Sequence, residues 1–190
     1  MTAVQQMSTR YCQPSRASLV ESGFTLVELM ISVAVLAVLL SIAVPSFTNA
    51  TLGSRLSSHA NSLVAGAALA RSEAIKRNAV VTMCVSSDGA ACAASGGWQQ
   101  GWIVIHTASG NVLLSERAAP EGFRITAADD FTRVNFQPTG VGVTYSPTTP
   151  ASATLTVCRS SPSTGSQERV VTLTPTGRAS VSRTTSGVCP

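Results

Sequence analysis

Few side chains in this sequence are spaced as catalytic or metal-binding groups would be. Its two histidines, His59 and His106, have no serine, cysteine or acid partner at the spacing of a known catalytic or metal-binding motif. The adjacent carboxylates Asp129 and Asp130 lie in a stretch that is typical of a loop. The sequence contains no nucleophile elbow, phosphate-binding loop or dinucleotide fingerprint. We therefore expect no enzymatic activity, no cofactor and no metal ion, and structural or surface roles for both histidines.

Disulfide chemistry is better supported, because the protein has five cysteines. Cys12 precedes a long apolar run, whereas Cys84, Cys92, Cys158 and Cys189 follow it and would share one compartment if that run entered a membrane. Three pairings of four cysteines exist, and closeness in the sequence favours Cys84 with Cys92 and Cys158 with Cys189. A zinc site is the alternative, but these spacings lack the short gap of paired zinc ligands.

Glu28 is the single ionisable residue in the apolar run 24–44, FTLVELMISVAVLAVLLSIAV. A helix of this length spans about 30 Å, which matches the hydrocarbon thickness of a bilayer. A carboxylate inside such a segment costs about 2.5 to 3.5 kcal/mol on insertion scales, so Glu28 is a candidate functional residue. The alternative is a glutamate at the helix start, where the helix dipole favours negative charge. The run argues against a purely cytosolic protein.

A polar leader precedes the apolar run. Residues 1–23 are rich in serine and contain Arg10 and Arg16. The apolar run exceeds the core of roughly 7 to 15 residues found in an ordinary secretory signal, and no Ala-x-Ala-like exit precedes Pro45. We expect the run to stay in the mature protein and the leader to be removed.

A long helix must position Glu28. After Pro45 the pattern becomes amphipathic and continues to about Arg77, where Glu73 and Arg77 are spaced for an ion pair. Pro45 is expected to kink or loosen the helix rather than end it. The predicted buried face consists of Leu52, Leu56, Leu63, Ala67, Ala70 and Ala74. The prediction is one helix of about 50 residues whose second half packs on a domain.

From residue 79 the pattern predicts strands. The candidates are Ala79–Ser86, Trp102–Thr107, Val112–Glu116, Arg124–Ala127, Arg133–Gln137, Thr154–Arg159, Glu168–Thr174 and Arg178–Ser182. Their short connections predict an antiparallel sheet packed on the amphipathic half of the helix, hence an α+β protein. Tyr145–Ala153 and Ser160–Ser166 read as loops, and the tail after Arg183 is expected to be tied down by Cys189.

Two tryptophans allow two interpretations. Trp98 and Trp102 could form an exposed platform on which bases stack. The favoured interpretation is that both pack a hairpin against the helix, with Gly97 and Gly101 relieving the turn.

The segment from Gly23 through Phe24 and Thr25 to Glu28, between a basic leader and an apolar helix, resembles the class III signal of type IV prepilins and type II secretion pseudopilins. The resemblance implies that a membrane peptidase cuts between Gly23 and Phe24 and methylates the new amino terminus of Phe24. It also implies that Glu28 neutralises the terminal amine of a neighbouring subunit. The leader is longer than usual, and Met7 is a second candidate start.

Further along, the chain resembles the GspH/FimT branch of this family, which includes minor pilins and pseudopilins. The matching segments are Ala70–Arg77, Val81–Cys84 with Cys92, Gly97–Val104, Thr156–Cys158, Pro175–Arg178 and Cys189–Pro190. The resemblance implies a type IV pilin-like fold and a structural subunit of a type IV pilus or a type II secretion pseudopilus. The paired cysteines favour the pilus members.

The resemblance also implies an organisation and a set of partners. The predicted segments are a cleaved leader 1–23, a transmembrane and filament-core helix 24–44, an amphipathic helix 45–78 and a periplasmic antiparallel β domain 79–190. The implied partners are the prepilin peptidase, the inner membrane before assembly, and other pilins or pseudopilins through helix packing.

DNA capture in natural transformation is the alternative function. DNA-binding members of the branch share a Gly-Arg-x-Arg sequence where this chain has Gly177 and Arg178, but Ser180 stands at the second arginine. On a strand, Arg178 and Ser180 would share a face and Arg183 would lie on the other. The candidate contacts are Arg178 and Arg183, together with Arg159 and Arg169. The net charge of +4 is compatible with binding a polyanion but does not demand it.

Overall fold

The computed structural model describes residues 23–143, 152–160, 168–184 and 189. The predicted leader up to residue 22, most of the two predicted loops and residues 185–188 of the tail lie outside these ranges. The chain divides into two compact units, Met1–Ala43 and Val44–Pro190.

One helix, α1, runs over Leu26–Arg77 for 52 residues and stays helical through residue 45. The predicted long helix is therefore confirmed. In the first unit its large apolar side chains are at least half exposed, among them Leu36 at 54% and Ile42 at 68%. By length and composition α1 could cross a membrane.

In the second unit α1 packs through a narrow face of mostly small side chains. Leu56, Leu63, Ala67, Ala70 and Ala74 are buried, as their spacing predicted. Two corrections apply to this face. Leu52 is only half-buried, whereas Ala60 and Gly66, which the sequence analysis missed, are buried.

The β domain contains nine strands among the described residues. They are β1 Val81–Val85, β2 Trp102–His106, β3 Val112–Glu116, β4 Phe123–Ala127, β5 Arg133–Phe136, β6 Gly142–Val143, β7 Ala153–Arg159, β8 Glu168–Leu173 and β9 Ala179–Thr184. Eight of them match predicted strands to within a few residues. The two-residue β6 was not predicted, because it is too short to show an alternating pattern.

The strands form two antiparallel sheets instead of the single predicted sheet. The first has the order β3-β2-β1-β5-β6 and the second β4-β7-β8-β9. In the first, Met83 of β1 lies opposite Val104 of β2 and Val134 of β5. Side chains of both sheets and of α1 meet in one hydrophobic cluster. Local patterning reports strands but not which sheet they join, so the number of sheets is a property of the packed core.

Both tryptophans are buried, as the packing interpretation predicted. Trp102 is 2% exposed and its ring lies against Gly66 of α1. Trp98 begins a short 3-10 turn, and its indole Nε1–H donates a hydrogen bond to the Phe131 carbonyl at 2.9 Å. The exposed stacking platform is therefore wrong, because neither ring is accessible to a base.

Two disulfides join the cysteines that lie nearest in the sequence. Cys84 on β1 is bonded to Cys92 in the following loop. Cys158 on β7 is bonded to Cys189 near the carboxyl terminus. The second bond ties the end of the chain to the four-stranded sheet.

Candidate functional site

The helix that carries Glu28 begins directly after Thr25. The backbone N–H of Glu28 donates to the Thr25 hydroxyl oxygen at 3.2 Å, and the N–H of Leu29 donates to the Thr25 carbonyl at 3.1 Å. Thr25 is therefore the N-cap and Glu28 the third helical residue, the spacing of a Thr-x-x-Glu capping box. This N-capping role of Thr25 was not predicted, although its spacing from Glu28 is readable in the sequence.

The surroundings of Glu28 are open in the first unit. Glu28 is exposed, and no cation among the described residues lies within ion-pair distance of its carboxylate. The neighbouring Ser32 hydroxyl donates to the backbone carbonyl of Glu28 at 2.7 Å and not to its side chain. Gly23 is also exposed, and Phe24 is 83% exposed. A carboxylate and an accessible Gly23–Phe24 bond thus lie within two turns at the start of one apolar helix.

The histidines occupy unrelated places. The His59 ring packs against Phe123 at a centroid distance of 5.1 Å, and burial lowers its pKa, an effect that Glu116 opposes. His106 Nδ1 lies 2.7 Å from the Ser109 hydroxyl. Within the described ranges, no three His, Cys, Asp or Glu side chains form a group that could hold a metal ion.

The predicted DNA candidates do not form one cluster. Arg178 is exposed in the turn before β9, and Arg183 is exposed on β9, which lies at the edge of the four-stranded sheet. Arg183 is in register with Arg169 on β8, so these two share a face of the sheet. Strand alternation puts Ser180 on the opposite face. Arg178 and Arg183 therefore do not lie side by side on one surface.

The prediction that Arg169 contacts DNA needs a correction. This residue is buried at 8% exposure and faces the helix. Its Nε–H donates to the Ser57 hydroxyl at 3.0 Å, and its two terminal nitrogens donate to the carbonyls of Glu168 at 3.0 Å and Gly53 at 3.4 Å. Burial, reinforced by the nearby Arg183, lowers the pKa of Arg169. Arg169 thus joins β8 to α1 and is not available to a phosphate.

Arg159 is engaged as well. Its guanidinium carbon lies 5.2 Å from the ring centroid of Phe123, the distance of a cation–π contact. Phe123 and Arg159 are direct partners across β4 and β7. This pairing was not readable from the sequence, because 36 positions separate the two residues.

The Gly177–Arg178 segment has a structural basis. Gly177 has φ +74°, and a Cβ there would overlap the Gly140 carbonyl oxygen. The N–H of Gly142 donates to the Pro175 carbonyl at 3.2 Å, so the turn before β9 touches the turn before β6. The side chain of Arg71 on α1 lies over both glycines. Arg71 therefore packs on two turns of the β domain and is not part of a fully solvated helix end.

The last turns of α1 carry the predicted ion pair. The Arg77 Nε–H donates to the Glu73 carboxylate, and the Lys76 ammonium lies 3.5 Å from its other oxygen. The hydrogen bond from Arg77 is the main cause that lowers the pKa of Glu73. Because solvent screens this exposed pair, it contributes little to stability.

A long helix with an apolar, exposed first part, packed in its second part on antiparallel sheets, is the pilin-like α+β architecture. Residues 59–177 match the family described as type II transport protein GspH, and residues 19–44 match the prokaryotic N-terminal methylation motif. Because the first match covers more than half of the chain, this protein belongs to the GspH family. The family resemblance inferred from the sequence is confirmed.

Three solved structures are similar to this chain. The type IV minor pilin FimU of Pseudomonas aeruginosa strain PAO1 is 22% identical, with 67% of this chain and 87% of that chain covered and a TM-score of 0.52. A second crystal form of FimU gives 23% identity, coverages of 67% and 92% and a TM-score of 0.49. The minor pseudopilin EpsH of the Vibrio cholerae type 2 secretion system is 11% identical, with 68% of this chain and 97% of that chain covered and a TM-score of 0.47. At these identities, the first FimU match supports the fold.

Family membership defines the general role. The pilin family is structural and not enzymatic. The methylation motif implies processing by prepilin peptidase, and the family implies assembly with other pilins. The apolar helix anchors such a protein in the inner membrane before assembly.

Proposed function

We propose that this chain is a minor subunit of a type IV pilus or type II secretion pseudopilus that is cut between Gly23 and Phe24, methylated on Phe24 and held in the filament by Glu28. The observation that carries the proposal is the start of α1. There an accessible Gly23–Phe24 bond is followed within two turns by an exposed carboxylate in an otherwise apolar helix.

The role of Glu28 follows from electrostatics. Cleavage creates a positively charged amine on Phe24 of every subunit, and packing apolar helices together would bury this amine. An ammonium or a carboxylate buried alone costs several kcal/mol, about 3 to 5 when a partner is removed from a buried pair. Glu28 of one subunit beside the amine of the next compensates both charges. Its position in the first turn of α1 further stabilises the carboxylate through the helix dipole.

The proposed organisation assigns a separate task to each segment. Residues 1–23 are the cleaved leader, 24–44 the membrane and filament-core helix, 45–78 the amphipathic helix and 79–190 the periplasmic domain. The two disulfides support the periplasmic location, because such bonds persist in oxidising compartments.

The test is mass spectrometry of the mature chain from producing cells. The expected amino terminus is N-methylated Phe24, and a peptidase-deficient strain should contain the uncut chain as the control. A mature chain that still carries residues 1–23 in cells with active peptidase would overturn the proposal.

The DNA receptor remains the weaker alternative. Two exposed arginines, Arg178 and Arg183, favour it, since each could add a phosphate contact. Against it, the two do not form one surface, Ser180 replaces the second arginine of the motif, and Arg169 is engaged with α1. Few phosphate contacts predict weak binding with a shallow salt dependence in a gel shift of the full chain in detergent with duplex DNA.

A further inference from the structure

A groove lies between the last turns of α1 and the start of β9. Its volume is about 370 Å³. The apolar part of its lining is Val64, Ala68 and Ile75 of α1 and Ala179 of β9, and the charged part is Arg71 and Arg178. Ile75 is 51% exposed and offers apolar surface at the groove. We call these six residues the α1–β9 groove.

Arg71 lies in the groove with one buried donor, its Nε–H, that no described residue accepts. Its stem lies over Gly140 and Gly177, where added Cβ atoms would come within 3.1 Å and 3.3 Å of the Arg71 Nε. That Nε is buried and unpaired within the described part of the chain. This buried Nε–H carries an uncompensated desolvation cost, while the Arg71 side chain also lines the open groove, where an acceptor can approach its charge. The two glycines leave room for this arrangement, since any side chain there would press on Arg71.

The charge around the groove is positive. Arg178 is exposed and, among the described residues, has no carboxylate within ion-pair distance. Glu73, two residues from Arg71 along α1, is already paired with Lys76 and Arg77. An occupant that complements this groove therefore needs a negative charge to meet the arginines and apolar side chains to cover Ile75.

We propose that the α1–β9 groove receives a carboxylate-bearing apolar segment of a neighbouring pilin subunit. The Asp or Glu of that segment accepts hydrogen bonds from the guanidinium groups of Arg71 and Arg178, and its apolar side chains pack on Ile75 and Val64. This inference rests on the proposed assembly into a filament, because the partner is another subunit. A peptide segment fits better than DNA, since a phosphate backbone would cover the apolar lining with charge and leave it unsatisfied.

The experiment is photocrosslinking of the full chain in producing cells. A benzophenone amino acid replaces Ala68, which is exposed in the groove, and in a control chain it replaces Arg55, which is exposed about 140° away around α1. The expected result is a crosslink from position 68 to another pilin subunit, mapped by mass spectrometry to a peptide with Asp or Glu beside apolar residues. Position 55 should not give this product.

Charge variants test the chemistry. Arg178→Gln should reduce the crosslink about tenfold, as expected for a lost hydrogen bond between charged groups, whereas Arg55→Gln should not. Arg71→Gln should also reduce the crosslink. Because Arg71 packs on two turns, its variant also needs intact disulfides and native protease resistance. Arg178→Glu, combined with a change of the mapped Asp or Glu to Arg in the partner subunit, should restore the crosslink.

The outcomes separate this inference from the proposed function. If the chain is present in purified filaments but position 68 crosslinks to DNA, to lipid or to a segment without a carboxylate, the groove proposal is wrong and assembly stands. A crosslink that is unchanged in Arg178→Gln would likewise show that the groove proposal is wrong. If the chain is absent from filaments altogether, both proposals fail.

Discussion

Trp102 of β2 lies so close to Gly66 of α1 that a Cβ at position 66 would be 2.5 Å from two of its ring carbons. Both residues are buried, and the contact lets the helix approach the five-stranded sheet along its face of small side chains. A glycine in the middle of a helix normally destabilises it by about 1 kcal/mol relative to alanine. Here the indole ring occupies the space of the missing side chain.

Gly66→Ala should therefore destabilise the protein, opposite to the usual effect of this substitution in a helix. Overpacking a core of this kind costs about 1 to 3 kcal/mol. The measurement is denaturant unfolding of the detergent-solubilised full chain followed by tryptophan fluorescence, because Trp98 and Trp102 are its two tryptophans and both are buried. Ala65→Leu, at an exposed neighbouring position, is the control and should change stability by less than about 0.5 kcal/mol. A gain of stability in Gly66→Ala would contradict the contact.

Arg169→Gln should lower the free energy of unfolding by about 1.5 to 3 kcal/mol, because it breaks charged hydrogen bonds to Ser57 and Gly53 of α1. The matched variant is Arg183→Gln, which removes the like charge directly opposite on β9. Since Arg183 is exposed and repels Arg169, its loss should leave stability unchanged or slightly raised. Equal losses in the two variants would show that Arg169 does not hold β8 to the helix.

His59 should make the folded state less stable below neutral pH. Burial lowers its folded pKa below the ordinary value of 6.5, so the unfolded chain binds the proton more readily. This contribution is fully present above pH 6.5 and decreases as the pH falls from there through the folded pKa. Glu73 and Asp88 do not interfere, because both have pKa values lowered from the already acidic range of carboxylates.

The measurement for His59 is the free energy of unfolding between pH 5 and pH 8. His59→Gln should flatten the decrease below about pH 6.5. His106→Gln, which removes the other histidine and its hydrogen bond with Ser109, is the control. A profile that is the same in wild type and His59→Gln would contradict the assigned cause.

Glu28→Gln should be cut and methylated normally but should enter filaments at least about tenfold less often, because the amine of the neighbouring subunit would be buried without a counter-charge. Quantitative immunoblots of membrane and sheared filament fractions measure this ratio. Glu121→Gln removes an exposed carboxylate in the β domain and serves as the control for net charge. Normal incorporation of Glu28→Gln into filaments would contradict the proposed pairing of Glu28 with the amine of the neighbouring subunit.

The amphipathic face of α1 shows how far pattern reading reaches. Leu56, Leu63 and Ala70 were predicted as buried because helical periodicity is local, and they are buried. Gly66 was missed, since a glycine carries no apolar signal and its burial depends on where Trp102 falls. Eight strands were predicted for the same local reason, whereas their division into two sheets was not.

The candidate site also has some features that are readable in the sequence and others that depend on the fold. The methylation motif, the Glu28 carboxylate and the apolar helix behind it are readable in the sequence alone, because each depends on neighbours within a few turns of one element. Two contacts depend on the folded chain: Arg169 is buried against Ser57, 112 positions away, and Arg71 meets Gly140 and Gly177, which precede strands of different sheets. Such contacts are fixed by how the sheets pack on the helix, and that packing depends on the whole core and not on any local pattern.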